Sequence, residues 1–181
     1  MNRAVWAVLA GSALSTSLVE RAPAQSPAQP AAATAPAPRV QANLAQLMRG
    51  TLYPESNIVF AAQDQNPADV PWAKDPNMAT DLLATVYGKW QAVENSALAI
   101  VEVSNLLLLP GRKCSNGLDV PLNNADWARF VEELREAGMT AYAAAQTKNQ
   151  DKMTDAAGVM TTACADCHKR YREKKLADRC K

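Results

Sequence analysis

Cys164-Ala165-Asp166-Cys167-His168 sets two thiols and an imidazole within five residues, close to the C-terminal end of a 181-residue chain. The spacing C-x-x-C-H lets each cysteine add to one vinyl group of a porphyrin while the histidine that follows ligates the iron from one face. His168 is the only histidine in the chain, so any histidine chemistry takes place here. Two other uses of a C-x-x-C pair compete with this one. Zinc needs four ligands in a tetrahedron, and the remaining thiols, Cys114 and Cys180, lie in segments that read as unrelated. A redox dithiol usually opens a helix that follows a strand, whereas this pair falls late in a helical stretch with no strand-like alternation before it. A covalently attached c-type haem is the reading that remains.

The rest of the chain reads as helix. Val40, Leu44, Leu47 and Met48 follow helical spacing, Pro54 interrupts near Tyr53, and Ile58, Val59 and Phe60 resume the apolar pattern. A loop rich in Pro and Asp follows (Pro67 to Pro76). Thr80 or Asn77 is then expected to cap a second helix with Leu83, Val86, Tyr87, Trp90, Val93, Ala97, Val101, Ser104 and Leu108 on one face, ended by Pro110-Gly111. Asn123 or Asn124 caps a third, with Trp127, Phe130, Val131, Leu134, Gly138, Ala141 and Ala145 on its apolar side. A polar hinge at Lys148-Asn149-Gln150 leads to a fourth, whose buried stripe is Met153, Ala157, Met160, Cys164, Cys167, His168 and Tyr171. The expected fold class is all-α: an antiparallel up-down-up-down four-helix bundle with covalently bound haem near the C-terminus.

That topology brings the start of the first helix, the loop between the second and third, and the end of the fourth to one end. Met48 and His168 each lie eight residues from that end, roughly 12 Å into the bundle at a rise of about 1.5 Å per residue. Met48 is therefore a candidate second axial ligand, set against its use as core filler. The same topology brings Cys114 and Cys180 together, which makes them a candidate disulfide in an exported protein, set against two unpaired thiols.

The ends of the chain carry different signals. Arg3, the mildly apolar run Ala4 to Val19 and the small residues Ala22-Pro23-Ala24 read as a signal peptide over 1–24. An uncleaved anchor is the alternative, although Ser12, Ser15, Thr16 and Ser17 make the run a poor spanning helix. Residues 25–38 read as an Ala/Pro-rich tether, 22–38 holding five of the eleven prolines, and the folded domain occupies 39–181. The formal charge of +1 gives no sign of nucleic-acid binding. Lys169, Arg170, Arg172, Lys174, Lys175, Arg179 and Lys181 crowd the C-terminus. They read either as favourable placement at a helix end or as a docking collar for an acidic redox partner.

Cys164 to Arg172, C-A-D-C-H-K-R-Y-R, resembles the cytochrome c prime family, the class II c-type cytochromes, whose C-x-x-C-H motif lies near the C-terminus of a four-helix bundle. The similarity runs over roughly 40–178. It implies one haem c linked to Cys164 and Cys167, His168 as axial ligand, and Tyr171 and Arg172 packed beside that histidine. It also implies a non-enzymatic protein attached to its haem in the periplasm and admits a homodimer. Low-spin members carry a ligating methionine at the position of Met48, so the resemblance implies one-electron transfer. The alternative is a five-coordinate gas-binding or sensing protein with Met48 in the core. The chain departs from many members in having Leu44 where they carry an arginine for a haem propionate; here Arg49 follows Met48 instead.

Overall fold

Asparagine precedes four of the helical runs, and the short side chains of Asn43, Asn66 and Asn149 each accept from a free N–H there, whereas that of Asn124 does not. The computed structural model describes residues 38–173 together with Cys180. The proposed signal peptide (1–24) and all of the proposed tether except Pro38 lie outside the described residues, as do Lys174, Lys175, Arg179 and Lys181. Among the described residues the protein is all-α, with no strand and only an isolated bridge between Lys113 and Asp119. No helix among them is long and apolar enough to cross a membrane.

Helix α1 (Leu44–Leu47) starts at Asn43, whose side chain accepts from the Gln46 N–H at 2.8 Å while the Gln46 side chain accepts from the Asn43 N–H at 2.9 Å. The chain then passes through a π turn (Met48–Leu52) into α2 (Tyr53–Asp64). The break expected near Tyr53 is thus a local widening within continuous helix. Pro54 has no N–H to give and crowds the carbonyl one turn back. The wider turn directly before it, where the Tyr53 N–H reaches the Met48 carbonyl, accommodates this without ending the helix.

The second helix begins later than its periodicity suggests. Helix α3 spans Trp90–Leu106, and Leu83 belongs to a short 3₁₀ turn, Leu82–Ala84, capped by Asp81 rather than Thr80 or Asn77. The chain cannot run helically between them, because Lys89 takes φ +58° and its N–H bonds back to the Leu83 carbonyl at 2.8 Å. Gly88 lies so close beneath that a Cβ there would sit 2.2 Å from the same carbonyl oxygen. Val86, Tyr87 and Leu108, assigned to the buried face, are exposed. The face that is buried runs through Trp90, Val93, Ala97, Ile100 and Ser104.

Helices α4 (Ala125–Gln146) and α5 (Gln150–Tyr171) follow the expected pattern, and all seven apolar positions named for α4 are buried. Lys148, at φ +53°, turns the chain in the left-handed conformation common after a helix end. Asn149 then caps α5 by accepting from the Lys152 N–H at 2.9 Å. Helix α2 packs on α3 and α5, and α4 packs on the same two. Small residues on the contacting faces, Ala97, Ala137, Ala141, Ala145 and Ala157, are wholly buried and allow close approach of the helices.

Both ends are fastened. At one, the Leu44 N–H donates to the Lys113 carbonyl at 2.8 Å, and Arg112, 4% exposed, donates to the Ala42 carbonyl at 2.6 Å and to the Leu106 carbonyl at 3.1 Å and 3.3 Å. At the other, the Gln150 amide donates to the carbonyls of Ala62 and Gln63, tying the start of α5 to the end of α2.

Helices α3 and α4 approach closely at Gly138, where a Cβ would meet Val101 Cγ2 at 2.7 Å and the Ala97 carbonyl oxygen at 3.2 Å. Gly138→Val is expected to destabilise the protein by about 1–3 kcal/mol through overpacking. Urea denaturation followed by circular dichroism checks this.

Candidate functional site

Helix α5 carries its reactive residues along the stripe that it turns to the rest of the protein. Met153, Ala157 and Met160 are completely buried, and Cys164, Cys167, His168 and Tyr171 continue the stripe half-buried. The change from buried to half-buried has a cause: beyond Met160 the stripe faces a cavity of about 630 Å³ instead of a packed neighbour. That volume lies within the range of roughly 300–1,000 Å³ usual for small-molecule sites.

The cavity brings together residues far apart in sequence. Cys164, Cys167, His168, Tyr171 and Arg172 line it from α5 and the residue after it, and Met48 lines it from the π turn. Leu44, Leu52 and Phe60 from the first helical run, Ile100 and Leu107 from α3 and its end, and Trp127 from α4 supply apolar wall. Leu44, Met48, Leu52, Ser56 and Phe60 face it at steps of four. In an ideal α-helix four residues overshoot a full turn by about 40°, so such a row drifts off one face. The π turn rotates less per residue, and it offsets that drift within this row. Leu47 and Phe130, apolar positions of the first and third expected helices, are buried but do not line it.

Burial sets the electrostatics. It pushes the Cys164 thiol up from its ordinary pKa. The Cys167 thiol is pushed up to about 11 by burial first, then by Cys164, Asp126 and Glu133. His168 is held below the usual imidazole value by burial and by the Arg172 guanidinium, against a smaller opposing effect of Glu173. At neutral pH the cavity therefore presents two un-ionised thiols and an imidazole favoured in its neutral form, which has a lone pair to offer a metal.

Cys114 and Cys180 are disulfide-bonded, with Cα atoms 4.9 Å apart, and Cys180 also lines the cavity. Their sulfurs are thus committed to each other, and no group of three or more His, Cys, Asp or Glu among the described residues is arranged to hold a metal ion. With that bond in place, Cys114 and Cys180 are not available to complete a tetrahedral zinc site. Cys164 and Cys167 stay free. Two thiols and an imidazole on one helix, a thioether from another, and apolar walls between them fit the donor set of a covalently attached haem.

The C-terminal cations are not all free to act as a collar. Arg170 is paired with Asp126 at 2.6 Å, and Arg172 lies 3.4 Å from Glu173. Arg49 lines the cavity beside Met48. Two residues that fasten the site were not singled out by the sequence: Arg112, whose role shows only through the carbonyls it meets, and Asp126, which binds the end of α5 from the first turn of α4. Asp126 had one signal, a carboxylate at a helix N-terminus. Comparison with known protein families, with curated proteins and with solved structures finds no match to this chain.

The disulfide closes a long loop, its cysteines 66 residues apart. Replacing both with serine is expected to lower stability by about 4 kcal/mol through the added freedom of the unfolded chain. A denaturant midpoint that does not move on this double substitution, or on reduction with dithiothreitol, would contradict that.

Proposed function

We propose that the chain is an exported c-type cytochrome of the cytochrome c prime kind, an up-down-up-down four-helix bundle with one haem covalently bound near its C-terminus. Cys164 and Cys167 would hold the haem through thioether links, His168 would ligate its iron, and Met48 would be the second ligand. The function is one-electron transfer with a redox partner protein in the periplasm, and the protein is not an enzyme. The observation that carries the reading is one largely apolar cavity lined at once by Cys164, Cys167, His168 and Met48.

Further features support it. The three-residue link between α4 and α5 suits antiparallel neighbours, and the start of the first helix meets the α3–α4 loop, as an up-down-up-down order requires. Bound there, haem would supply an iron that cycles between ferric and ferrous states. This chain's residues do the rest. His168, favoured as the neutral imidazole, offers a lone pair without first losing a proton. Met48 offers a thioether, which raises the potential relative to two nitrogen donors. Leu44, Leu52, Ile100 and Trp127 exclude water, so that little surrounding polarisation has to rearrange when charge changes. Lys169 is a cation offered to an acidic partner, while Arg170 is partly neutralised by Asp126 and Arg172 by Glu173.

The alternative, a five-coordinate gas-binding protein, keeps one specific observation in its favour: Met48 also packs against the hydrophobic core. Optical spectra distinguish the two. The wild-type protein is expected to be low-spin in both oxidation states and unresponsive to carbon monoxide, with a methionine-to-iron charge-transfer band in the ferric state. Met48→Ala is expected to lose that band, bind carbon monoxide and fall in potential. A wild-type protein that is high-spin and binds carbon monoxide, with Met48→Ala indistinguishable from it, would make Met48 a core residue and transfer the function to gas binding.

A further inference from the structure

A carboxylate from a different helix holds the last turn of α5. Asp126 lies in the first turn of α4, where free backbone N–H groups favour negative charge. Its Oδ2 accepts from Arg170 Nε at 2.6 Å, and its Oδ1 accepts from the Tyr171 hydroxyl. The same hydroxyl accepts from Asn124 Nδ2 at 3.4 Å. The Tyr171 ring is fixed separately, edge-on to Trp127 with centroids 5.0 Å apart and edge-on to Phe130 at 6.2 Å. Trp127 is itself anchored by its indole N–H, which donates to the Leu107 carbonyl at 3.1 Å.

Tyr171 stands one helical turn after Cys167 and His168, and all three line the cavity. Residues three and four apart on a helix are surface neighbours. Asp126 does not line the cavity, but it is bonded directly to Tyr171, which does. We infer that Asp126 is a positioning residue for the haem site, fixing Tyr171 and the final turn of α5 while its negative charge tunes the iron through that end of the cavity. This inference rests on the haem reading above.

Geometry and charge separate experimentally. A nearby anion favours the more positive, oxidised iron, so removing it raises the reduction potential. Arg170, released from its partner, acts in the same direction. The Asp126 and Arg170 side chains keep 28% and 51% of their surface in solvent, so salt screens the effect. The geometric part shows in the amides of Arg172 and Glu173, which both donate to the His168 carbonyl, at 2.7 Å and 2.9 Å.

The test uses the full-length haem-loaded protein as wild type, Asp126→Asn, Asp126→Glu and Tyr171→Phe. The readouts are redox titrations at low and high salt and hydrogen exchange at Arg172 and Glu173. Asp126→Asn is expected to raise the potential, more so at low salt, and to speed exchange at both amides several-fold. Asp126→Glu restores the potential, and Tyr171→Phe speeds exchange while leaving the potential nearer to wild type. An unchanged potential in Asp126→Asn, whether or not exchange is faster, reduces Asp126 to a structural residue and overturns the inference. Should Asp126→Asn fail to fold, wild-type exchange in Tyr171→Phe overturns it equally. Absence of haem from the wild-type protein would instead defeat the haem reading, a separate outcome read before any variant is compared.

Discussion

The helical spacing of Cys164, Cys167 and His168 commits one face of α5 to the cavity, and the remaining helices are arranged around that commitment. Residues i, i+3 and i+4 cannot be turned to different surroundings. Burying the stripe from Met153 to Met160 therefore carries the thiols and the imidazole inward with it. Had the neighbouring helices closed equally tightly along the whole of α5, the three groups would be embedded in core. Instead Leu44, Leu52, Ile100 and Trp127 stand back from them, and the space left is the cavity.

An open space at one end of a helical array weakens the packing there, and that end carries the covalent and polar fastenings. The Cys114–Cys180 disulfide, the Arg112 bonds to Ala42 and Leu106, and the Asp126 bonds to Arg170 and Tyr171 all lie around it. The opposite end, filled by Val59, Ala62, Ala145 and Met153, relies on apolar burial and on the Gln150 amide. Burying Arg112 would be costly without partners. It is tolerable because backbone carbonyls from the start of the first helix and the end of α3 meet the guanidinium, although burial still lowers its pKa. The π turn belongs to the same account, since it holds Met48 and Leu52 in one row with Leu44 against the cavity.

How much of this was legible depends on how local each determinant is. Helices α4 and α5 were readable from strong 3.6-residue periodicity, with Asn124 at the expected start of α4 although its side chain makes no capping bond, and Asn149, read as part of a hinge, capping α5. The start of α3 was not: Leu83, Val86, Tyr87 and Trp90 continue the helical pattern, and nothing in a period reveals that Lys89 adopts a positive φ and folds back on Leu83. Pro54 signalled a disturbance in the first helix, but whether proline ends a helix or is absorbed by a π turn depends on packing on both sides. In the site, the C-x-x-C-H group and the meeting of Cys114 with Cys180 were legible, from spacing and from topology. Arg112 and Asp126 were not, because their partners lie up to 70 residues away and include backbone carbonyls that leave no mark in a sequence.

The central claim is that Cys164 and Cys167 hold a haem covalently. Intact-mass and peptide mass spectrometry of the protein expressed from its full 181-residue sequence together with a bacterial haem-ligation apparatus tests it most directly. The account predicts a mass increase of one haem that survives denaturation and acid–acetone extraction and maps to the peptide containing Cys164 to His168. A chain of unmodified mass, with both Cys164 and Cys167 open to alkylation once unfolded, would contradict it.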